Sequence, residues 1–428
     1  MTAEELCCAA ILAFFAVQGA VPFIAPNQAL ELTGAAPTGL MFYGGVGSQL
    51  VVYGAIAYLL LRQAERVTRW LGAMQWSLGL AALTVASTLW SQFPLYTARR
   101  SVPFALAGVF GLYLAMRFPV WRQLRILRVT MVALALGTVL MALAFPKLGL
   151  DASAGHNFDW QGVFTQKNTC GRMMVLATAI LLAEWRFSWQ RIAMAGLFLA
   201  VLAMSGSRSA WLVEGAVIAL WGVLRLLARV DAQTRVITAL GAGLMATIVT
   251  VAGYFSLPAL ALMLGRDTTL SGRILIWKQV GIFIFQKPWL GWGYDAFWRG
   301  ARGEAFRVVA AVHFMVFHAH NGFLEIWLEL GLAGLTLFAL SYCRAWRRLW
   351  PMLRAGEVDC AMWMVFVLAL ILLYDLDENT LLTYNGLFWV LYVTALANLE
   401  FMQVEEGLCG KVVRFEQRSE NAASVGVS

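Results

Sequence analysis

Long apolar segments recur along the chain and are separated by short polar ones. Each apolar run extends over about 17–22 residues, the length at which an α-helix crosses roughly 30 Å of hydrocarbon. The strands of a membrane barrel would instead alternate apolar and polar residues over about ten positions. The pattern therefore predicts an all-α polytopic membrane protein with twelve transmembrane helices. The predicted spans are 4–25, 39–61, 71–90, 101–118, 126–146, 171–187, 190–206, 209–228, 235–256, 321–343, 359–376 and 380–400.

Composition agrees with this fold class. The chain is 61% hydrophobic and 13% charged, and its mean hydropathy is +0.71. These values exclude a soluble globular protein, in which about a quarter of the residues are charged. The composition therefore leaves a protein that lies mainly within the bilayer.

Lys and Arg are distributed unevenly between the segments that connect the spans. When these segments are assigned alternately to the two sides, the side with both termini carries 19 of them. The other side carries 6 outside the long loop 257–320. Because Lys and Arg are enriched in cytoplasmic segments, and long loops follow this rule weakly, we expect both termini to be cytoplasmic and loop 257–320 to lie outside. The net charge of +8 reflects this bias and does not indicate nucleic-acid binding.

A polar cluster stands where the long outward loop enters an apolar helix. His318, His320 and Asn321 lie at this boundary, and Glu325 and Glu329 follow four and eight residues after Asn321. That spacing places Asn321 and the two glutamates on one helix face. The cluster predicts either a functional site or a helix N-terminus capped by polar residues at the membrane surface.

Two further outward segments carry cations at helix starts. Arg99 and Arg100 follow the turn 90–94, and either they belong to a site or they extend their charged ends to the membrane surface. Lys167 and Asn168 stand at the predicted N-terminus of another helix. An ammonium, a carboxamide and free backbone N–H groups suit an anion there, although a plain helix cap explains the same residues.

Arg208 and Arg273 complete the set of outward cations. Arg208 lies in the tight turn 205–209, and Glu214 lies deeper in the following helix. Ionisable groups at such depth are costly unless they are paired or functional, so the two residues predict either a site or a structural ion pair. Arg273 lies in the first turn of an interfacial helix that Ser271 is expected to cap.

The position of these residues distinguishes between classes of membrane protein. All of them lie at the outer ends of helices, whereas a secondary transporter is expected to bind its substrate near the bilayer midplane. Guanidinium groups bind phosphate oxygens in bidentate fashion, and a neutral histidine can accept a proton from a hydroxyl. The segment 375–378 offers three carboxylates, which we interpret as a polar helix cap rather than a metal site.

Several short motifs occur in order over residues 195–340. His320-Asn321 is followed after nine residues by Gly331-Leu332-Ala333-Gly334. The turn 205–209 reads Ser-Gly-Ser-Arg-Ser, and the remaining motif residues are Arg273, Trp277, Pro288, Gly291 and Gly293. This arrangement resembles the bacterial O-antigen ligase and polysaccharide polymerase superfamily. Two further motifs resemble its exopolysaccharide polymerisation branch more than the lipid A-core ligases: Phe164, Lys167, Asn168 and Gly171, and Glu378 with 385–389.

The resemblance implies a GT-C-like fold and an inverting membrane glycosyltransferase of the bacterial inner membrane. Such an enzyme moves a glycan from an undecaprenyl diphosphate carrier to an acceptor at the periplasmic face, without cofactor or metal. It implies an N-terminal scaffold at 1–194, a catalytic domain at 195–340, C-terminal helices at 341–403 and a cytoplasmic tail at 404–428. Other polysaccharide assembly proteins are possible partners.

The same resemblance assigns roles to individual residues. Arg208 and Arg273 match the family's diphosphate-binding arginines, and His320 matches its catalytic histidine. The expected substrate-binding residues are Lys167, Asn168, His318, Asn321, Arg99 and Arg100. If the acceptor were lipid A-core, the protein would be a ligase. A lipid-linked oligosaccharide flippase is the alternative from another class.

Overall fold

The computed structural model describes residues 1–19, 40–64, 75–151, 158–184, 187–231, 234–235, 272–299 and 303–404. Nearly all of the predicted ninth span, 235–256, lies outside these residues. The same holds for the first part of loop 257–320 and for the tail from residue 405 onward.

The described residues form α-helices joined by turns, with one isolated bridge between Leu150 and Trp160. The helices are α1 (Ala3–Ala16), α2 (Leu40–Leu61), α3 (Gln75–Ala86), α4 (Pro94–Arg117), α5 (Val120–Ala144), α6 (Lys167–Ala183), α7 (Trp189–Met204), α8 (Arg208–Leu227), α9 (Arg273–Gln286), α10 (Ala305–Val312), α11 (Gly322–Ala355), α12 (Val358–Asp375) and α13 (Leu387–Val404). Single turns lie at Ser87–Leu89 and Pro146–Gly149.

The protein is an all-helical membrane protein. Five helical segments among the described residues are long and apolar enough to cross a bilayer. They are Tyr43–Leu61, Val120–Ala144, Arg208–Leu227, Gly322–Ala355 and Val358–Asp375. Three shorter apolar helices lie at Leu78–Leu89, Trp189–Met204 and Leu387–Phe401. The count of twelve spans and the GT-C-like fold stay predictions.

Helices α6, α12 and α13 form the centre of the bundle, because nearly every residue along them is buried. Small residues let α4 pack closely against α13. A Cβ atom at Gly111 would lie 2.5 Å from the carbonyl oxygen of Val390. The indole N–H of Trp389 donates to the Phe104 carbonyl at 2.9 Å. Close helix contact through small residues is typical of membrane bundles.

The backbone of α11 departs from helical geometry at Gly331, where φ is 68° and ψ is −168°. The loop that follows α9 fills this break. Four backbone hydrogen bonds of 2.8–3.1 Å join the two segments. They run from Trp292 N–H to Leu328 O, Gly293 N–H to Glu329 O, Leu332 N–H to Pro288 O, and Ala333 N–H to Trp289 O. The break therefore anchors the loop to the helix that begins beside the histidines.

Glycine is required at this junction for steric reasons. A Cβ atom at Gly291 would lie 2.4 Å from the carbonyl carbon of Glu329. One at Gly331 would lie 2.2 Å from the carbonyl carbon of Trp289. Backbone atoms cannot move aside as the end of a side chain can, and the φ/ψ region at Gly331 is essentially restricted to glycine.

Helix α9 begins later than predicted. Its first residue is Arg273, and Gly272 occupies the N-cap position in the left-handed region, with φ of 85°. Ser271 lies outside the described residues, and the expectation that it caps the helix is wrong. A left-handed residue lets the chain turn sharply into the helix, so that Arg273 occupies its first position.

Candidate active site

The segment that carries the histidines is held by a buried carboxylate. Glu325 Oε2 accepts a hydrogen bond from the Ala319 N–H at 2.7 Å, and its Oε1 accepts one from the Trp298 indole at 2.5 Å. The Ala319 carbonyl accepts from the Trp277 indole at 2.9 Å. Both backbone polar groups of Ala319 are therefore fixed, and this residue lies between His318 and His320.

Asn321 ends this segment and caps α11. Its side-chain oxygen accepts a hydrogen bond from the Leu324 N–H at 3.0 Å. His320, immediately before it, has a φ of 49° in the left-handed region. Such a conformation is uncommon for a residue with a side chain and often marks a functional position. The polar cap considered in the sequence analysis is therefore present, and the histidines lie beside it.

Glu378 lies at the centre of the site. Its Oε2 is 3.6 Å from His318 Nε2 and 3.5 Å from His320 Nδ1. Its Oε1 is 3.9 Å from Arg273 Nη2. The Arg273 guanidinium also forms an ion pair with Asp377. The loop after α12 thus brings two carboxylates to the start of α9 and to the histidine segment.

The position of Glu378 is set by a tight turn at the end of α12. The Tyr374 carbonyl accepts the N–H groups of Asp377 and Glu378 at 3.1 and 2.7 Å. Asp375 Oδ1 accepts the N–H of Thr380 at 2.7 Å and its hydroxyl at 2.8 Å. Asp375 thus acts as the polar cap interpreted from the sequence, whereas Asp377 and Glu378 face the cation and imidazoles of the site.

The hydrogen bonds distinguish the two histidines. His318 Nδ1 accepts from the backbone N–H of His320 at 3.2 Å, so its proton resides on Nε2, which faces Glu378. Both nitrogens of His318 are thus engaged. His320 Nδ1 lies 3.5 Å from Glu378 Oε2 and makes no hydrogen bond in the described structure. The nearby carboxylate favours the tautomer with its proton on Nδ1, which leaves Nε2 as the proton acceptor. The two rings lie 4.1 Å apart between centroids.

Electrostatics set the charge states around these rings. Burial, with a smaller contribution from His320, lowers the pKa of His318 to about 4, although Glu378 acts in the opposite direction. Burial acts to raise the pKa of Glu378, but the interaction with His320 and nearby positive charge outweigh it and lower the value to about 2. Because His318 is neutral near pH 7, we attribute that positive charge chiefly to Arg172. At neutral pH the site therefore holds a carboxylate beside a neutral His318.

Arg208 and Glu214 do not form the structural pair considered from the sequence. Arg208 is the exposed first residue of α8, whereas Glu214 is buried, at 2% exposure. Within the described residues, neither carboxylate oxygen of Glu214 has a hydrogen-bond partner. None of the described contacts joins Arg208 to His320.

Lys167 and Asn168 lie at the start of α6, as expected. The Lys167 ammonium, however, already forms an ion pair with Asp159 at 2.7 Å. The turn 205–209 is close by, because a Cβ atom at Gly206 would lie 2.4 Å from Asp159 Oδ1. Asp159 therefore neutralises the cation beside the turn that carries Arg208, and Lys167 is not an unpaired anion-binding group.

Arg100 belongs to a separate cluster. It is buried, lies 3.4 Å from Asp295 Oδ2, and stacks over Tyr384 at 4.1 Å from the ring centroid. It is therefore not a cation that extends to the membrane surface. Arg99 is exposed. In the described part of the chain no contact joins either arginine to His320.

His318, His320 and Glu378 can also be considered as metal ligands. One ligand atom from each lies within 4.8 Å of the others. Two imidazoles and a carboxylate suit several divalent ions. The Arg273 guanidinium approaches the same carboxylate and opposes a second cation there, so the geometry is compatible with a metal ion without requiring one.

Sequence reasoning did not predict the contacts of Glu378 and Arg172. Glu378 was expected only as part of a motif and a helix cap, and its pairing with Arg273, 105 positions earlier, depends on the tertiary fold. Arg172 is not among the predicted site residues, yet it is buried at 4% exposure and its guanidinium lies 5.7 Å from the centroid of the Tyr374 ring. The feature of the sequence that could have indicated Arg172 is a cation followed by a long apolar run within the same predicted helix.

Comparison with known proteins finds similarity over the part of the chain that carries much of this site. The O-antigen ligase family model matches residues 193–339, a range that includes Arg208, Arg273 and His320. The exopolysaccharide production protein ExoQ of Rhizobium meliloti (strain 1021) is 27% identical over 308 residues, covering 69% of this chain and 70% of that protein. The chain is thus similar to the O-antigen ligase family over residues 193–339 and to an exopolysaccharide production protein over 308 residues.

Proposed function

We propose that the protein is an inverting glycosyltransferase that polymerises exopolysaccharide repeat units carried on undecaprenyl diphosphate at the periplasmic face of the inner membrane. The observation that carries the proposal is the cluster of His320, Glu378 and Arg273. It joins a proton acceptor, an orienting carboxylate and a guanidinium around the buried side chain of Glu378.

In the proposed reaction, an acceptor sugar hydroxyl attacks the anomeric carbon of the donor. His320 Nε2 takes the hydroxyl proton, and the new glycosidic bond forms as the bond to the diphosphate oxygen breaks. Undecaprenyl diphosphate leaves with the electron pair of that bond. Because attack occurs opposite the leaving group, the anomeric configuration inverts.

Glu378 and the arginines would stabilise the charges that develop. The Glu378 carboxylate, 3.5 Å from His320 Nδ1, would orient the ring and stabilise the imidazolium. Arg273 would bind the diphosphate, exchanging part of its pairing with Asp377 for phosphate oxygens. Arg208 would extend the phosphate-binding surface from the exposed start of α8.

The similarity to an exopolysaccharide production protein supports polymerisation. The description of the matching family supports the second candidate, transfer of a glycan to lipid A-core by an O-antigen ligase. The excess of Lys and Arg on one side supports cytoplasmic termini and an outward site.

The direct experiment is a transfer assay with purified protein in detergent or vesicles. The substrate is a short lipid-linked repeat unit, offered with and without lipid A-core. A ladder of longer lipid-linked chains supports the polymerase, whereas product on lipid A-core alone supports the ligase. If no glycan is transferred but the lipid-linked substrate crosses the vesicle membrane, the protein is a flippase.

We further propose that the reaction needs no metal, because the arginines and the histidine provide the required charge and proton transfer. Transfer should continue in EDTA. Loss of activity in EDTA and recovery with a divalent ion would instead assign the site of His318, His320 and Glu378 to a metal.

A further inference from the structure

Arg172 is a buried cation in the second turn of α6. Only 4% of its surface is exposed, and its guanidinium lies 5.7 Å from the centroid of the Tyr374 ring. Among the described residues, no carboxylate lies within ion-pair distance of it. Arg273 and Arg100, by contrast, lie within ion-pair distance of Asp377 and Asp295.

Burial of an unpaired guanidinium is energetically unfavourable. Removing such a charge from water costs much more free energy than a cation–π contact with an aromatic ring returns. Two hydroxyls on the same helices are also buried without hydrogen-bond partners in the described structure: Thr169, three residues before Arg172, and Tyr374. Among the described residues, the region thus holds a cation without a carboxylate partner and two hydroxyls without hydrogen-bond partners.

The place of Arg172 relates it to the candidate active site. Tyr374, which its guanidinium faces, forms the turn that positions Glu378 through the 2.7 Å bond to the Glu378 N–H. Arg172 therefore contacts the residue whose carbonyl holds Glu378, and Glu378 is one of the residues that would perform the transfer.

We infer that Arg172 binds a phosphate group of the lipid diphosphate, together with Arg273, and supplies a cation that no carboxylate of the site already neutralises. This inference rests on the proposed function and deepens it. A dianionic or trianionic diphosphate would balance the buried charge and accept hydrogen bonds from the guanidinium fork.

The test compares binding of farnesyl diphosphate and farnesyl monophosphate to the purified full-length protein. Arg172→Gln should weaken diphosphate binding roughly tenfold to hundredfold, as expected for loss of a charge-assisted hydrogen bond. Monophosphate binding should change less. The diphosphate affinity of Arg172→Lys should lie between those of wild type and Arg172→Gln, because an ammonium keeps the charge and loses the planar guanidinium fork. Arg307→Gln is the matched control, since Arg307 is exposed and pairs with Glu304.

The outcomes separate this inference from the proposed function. If wild-type protein binds farnesol as tightly as farnesyl diphosphate, the proposed function itself fails. If wild type prefers the diphosphate and Arg172→Gln keeps that preference, Arg172 is a packing residue and only this inference is overturned. If Arg172→Gln fails to fold, the test relies on Arg172→Lys. A diphosphate affinity of Arg172→Lys equal to that of wild type would then overturn the inference.

Discussion

Replacement of Glu378 by glutamine should lower the rate of glycan transfer while leaving donor binding nearly unchanged. The substitution keeps the shape of the side chain and removes its charge. Glu378 is buried, at 4% exposure, and its Oε2 lies 3.5 Å from His320 Nδ1. The lost interaction is therefore the attraction between a carboxylate and the imidazolium that forms as His320 accepts the proton.

The magnitude follows from that distance. Two unit charges 3.5 Å apart attract by about 4–5 kcal/mol at an effective dielectric constant near 20. Partial exposure of the His320 ring reduces this value, and we expect about 2–4 kcal/mol to be lost in the transition state. This corresponds to roughly a 30- to 1,000-fold decrease in kcat.

The assay measures kcat and KM for transfer from a lipid-linked repeat unit by purified variants of matched melting temperature. Glu378→Asp keeps the charge with a shorter reach and should recover part of kcat. Glu304→Gln, which removes a carboxylate that pairs with Arg307 and has no described contact with His320, is the matched control and should behave as wild type. A Glu378→Gln enzyme with kcat within twofold of wild type would refute the orienting role.

Three further predictions concern the residues around this network. Glu325→Gln should lower kcat about tenfold, because the glutamine cannot accept hydrogen bonds from both the Ala319 and the Trp298 N–H groups. Trp298→Phe keeps the hydrogen bond to Ala319 and should lower kcat much less, and equal losses in the two variants would contradict positioning of the histidine segment by Glu325. Gly331→Ala should destabilise the protein by about 2–4 kcal/mol in thermal melting, while the control Gly281→Ala, whose Cβ would meet no atom within 4 Å, should not. A Gly331→Ala protein as stable as wild type would contradict the close contact between Gly331 and the loop after α9. Folding lowers the pKa of His318 from 6.5 to about 4, so the stability that neutral His318 contributes is complete above pH 6.5 and is lost as the pH falls towards 4. The melting temperature of His318→Gln should therefore fall less steeply over this interval than that of wild type, and an identical slope would disprove the lowered pKa of His318.

The sequence was sufficient to predict much of the fold. Helix positions follow from the length of apolar runs, because a helix in the bilayer must be apolar over its whole length. Helices α2, α3, α6, α7, α8 and α12 accordingly lie within about four residues of the predicted spans at both ends. Other ends differ more: α11 extends to Ala355 rather than 343, and α13 begins at Leu387 rather than 380. Helix α4 begins at Pro94 rather than at 101, since its first turn carries polar residues that a hydropathy pattern does not assign to a span.

The site was predicted only in part, because several of its contacts join residues far apart in the chain. The segment around His320 was recognised from its local pattern of polar residues. That Glu378 lies against it could not be seen, because the turn after Asp375 depends on hydrogen bonds that no local pattern encodes. The free cation expected at Lys167 is paired with Asp159, which stands in another part of the same outward loop.

The most direct test of the central proposal compares His320→Ala with Arg273→Ala in purified protein, measuring both glycan transfer and donor binding. We predict that His320→Ala binds the lipid-linked donor nearly as wild type does and transfers glycan roughly 10²–10⁴-fold more slowly. Arg273→Ala should lose donor affinity as well as rate. Transfer by His320→Ala at the wild-type rate would contradict the assignment of His320 as the base.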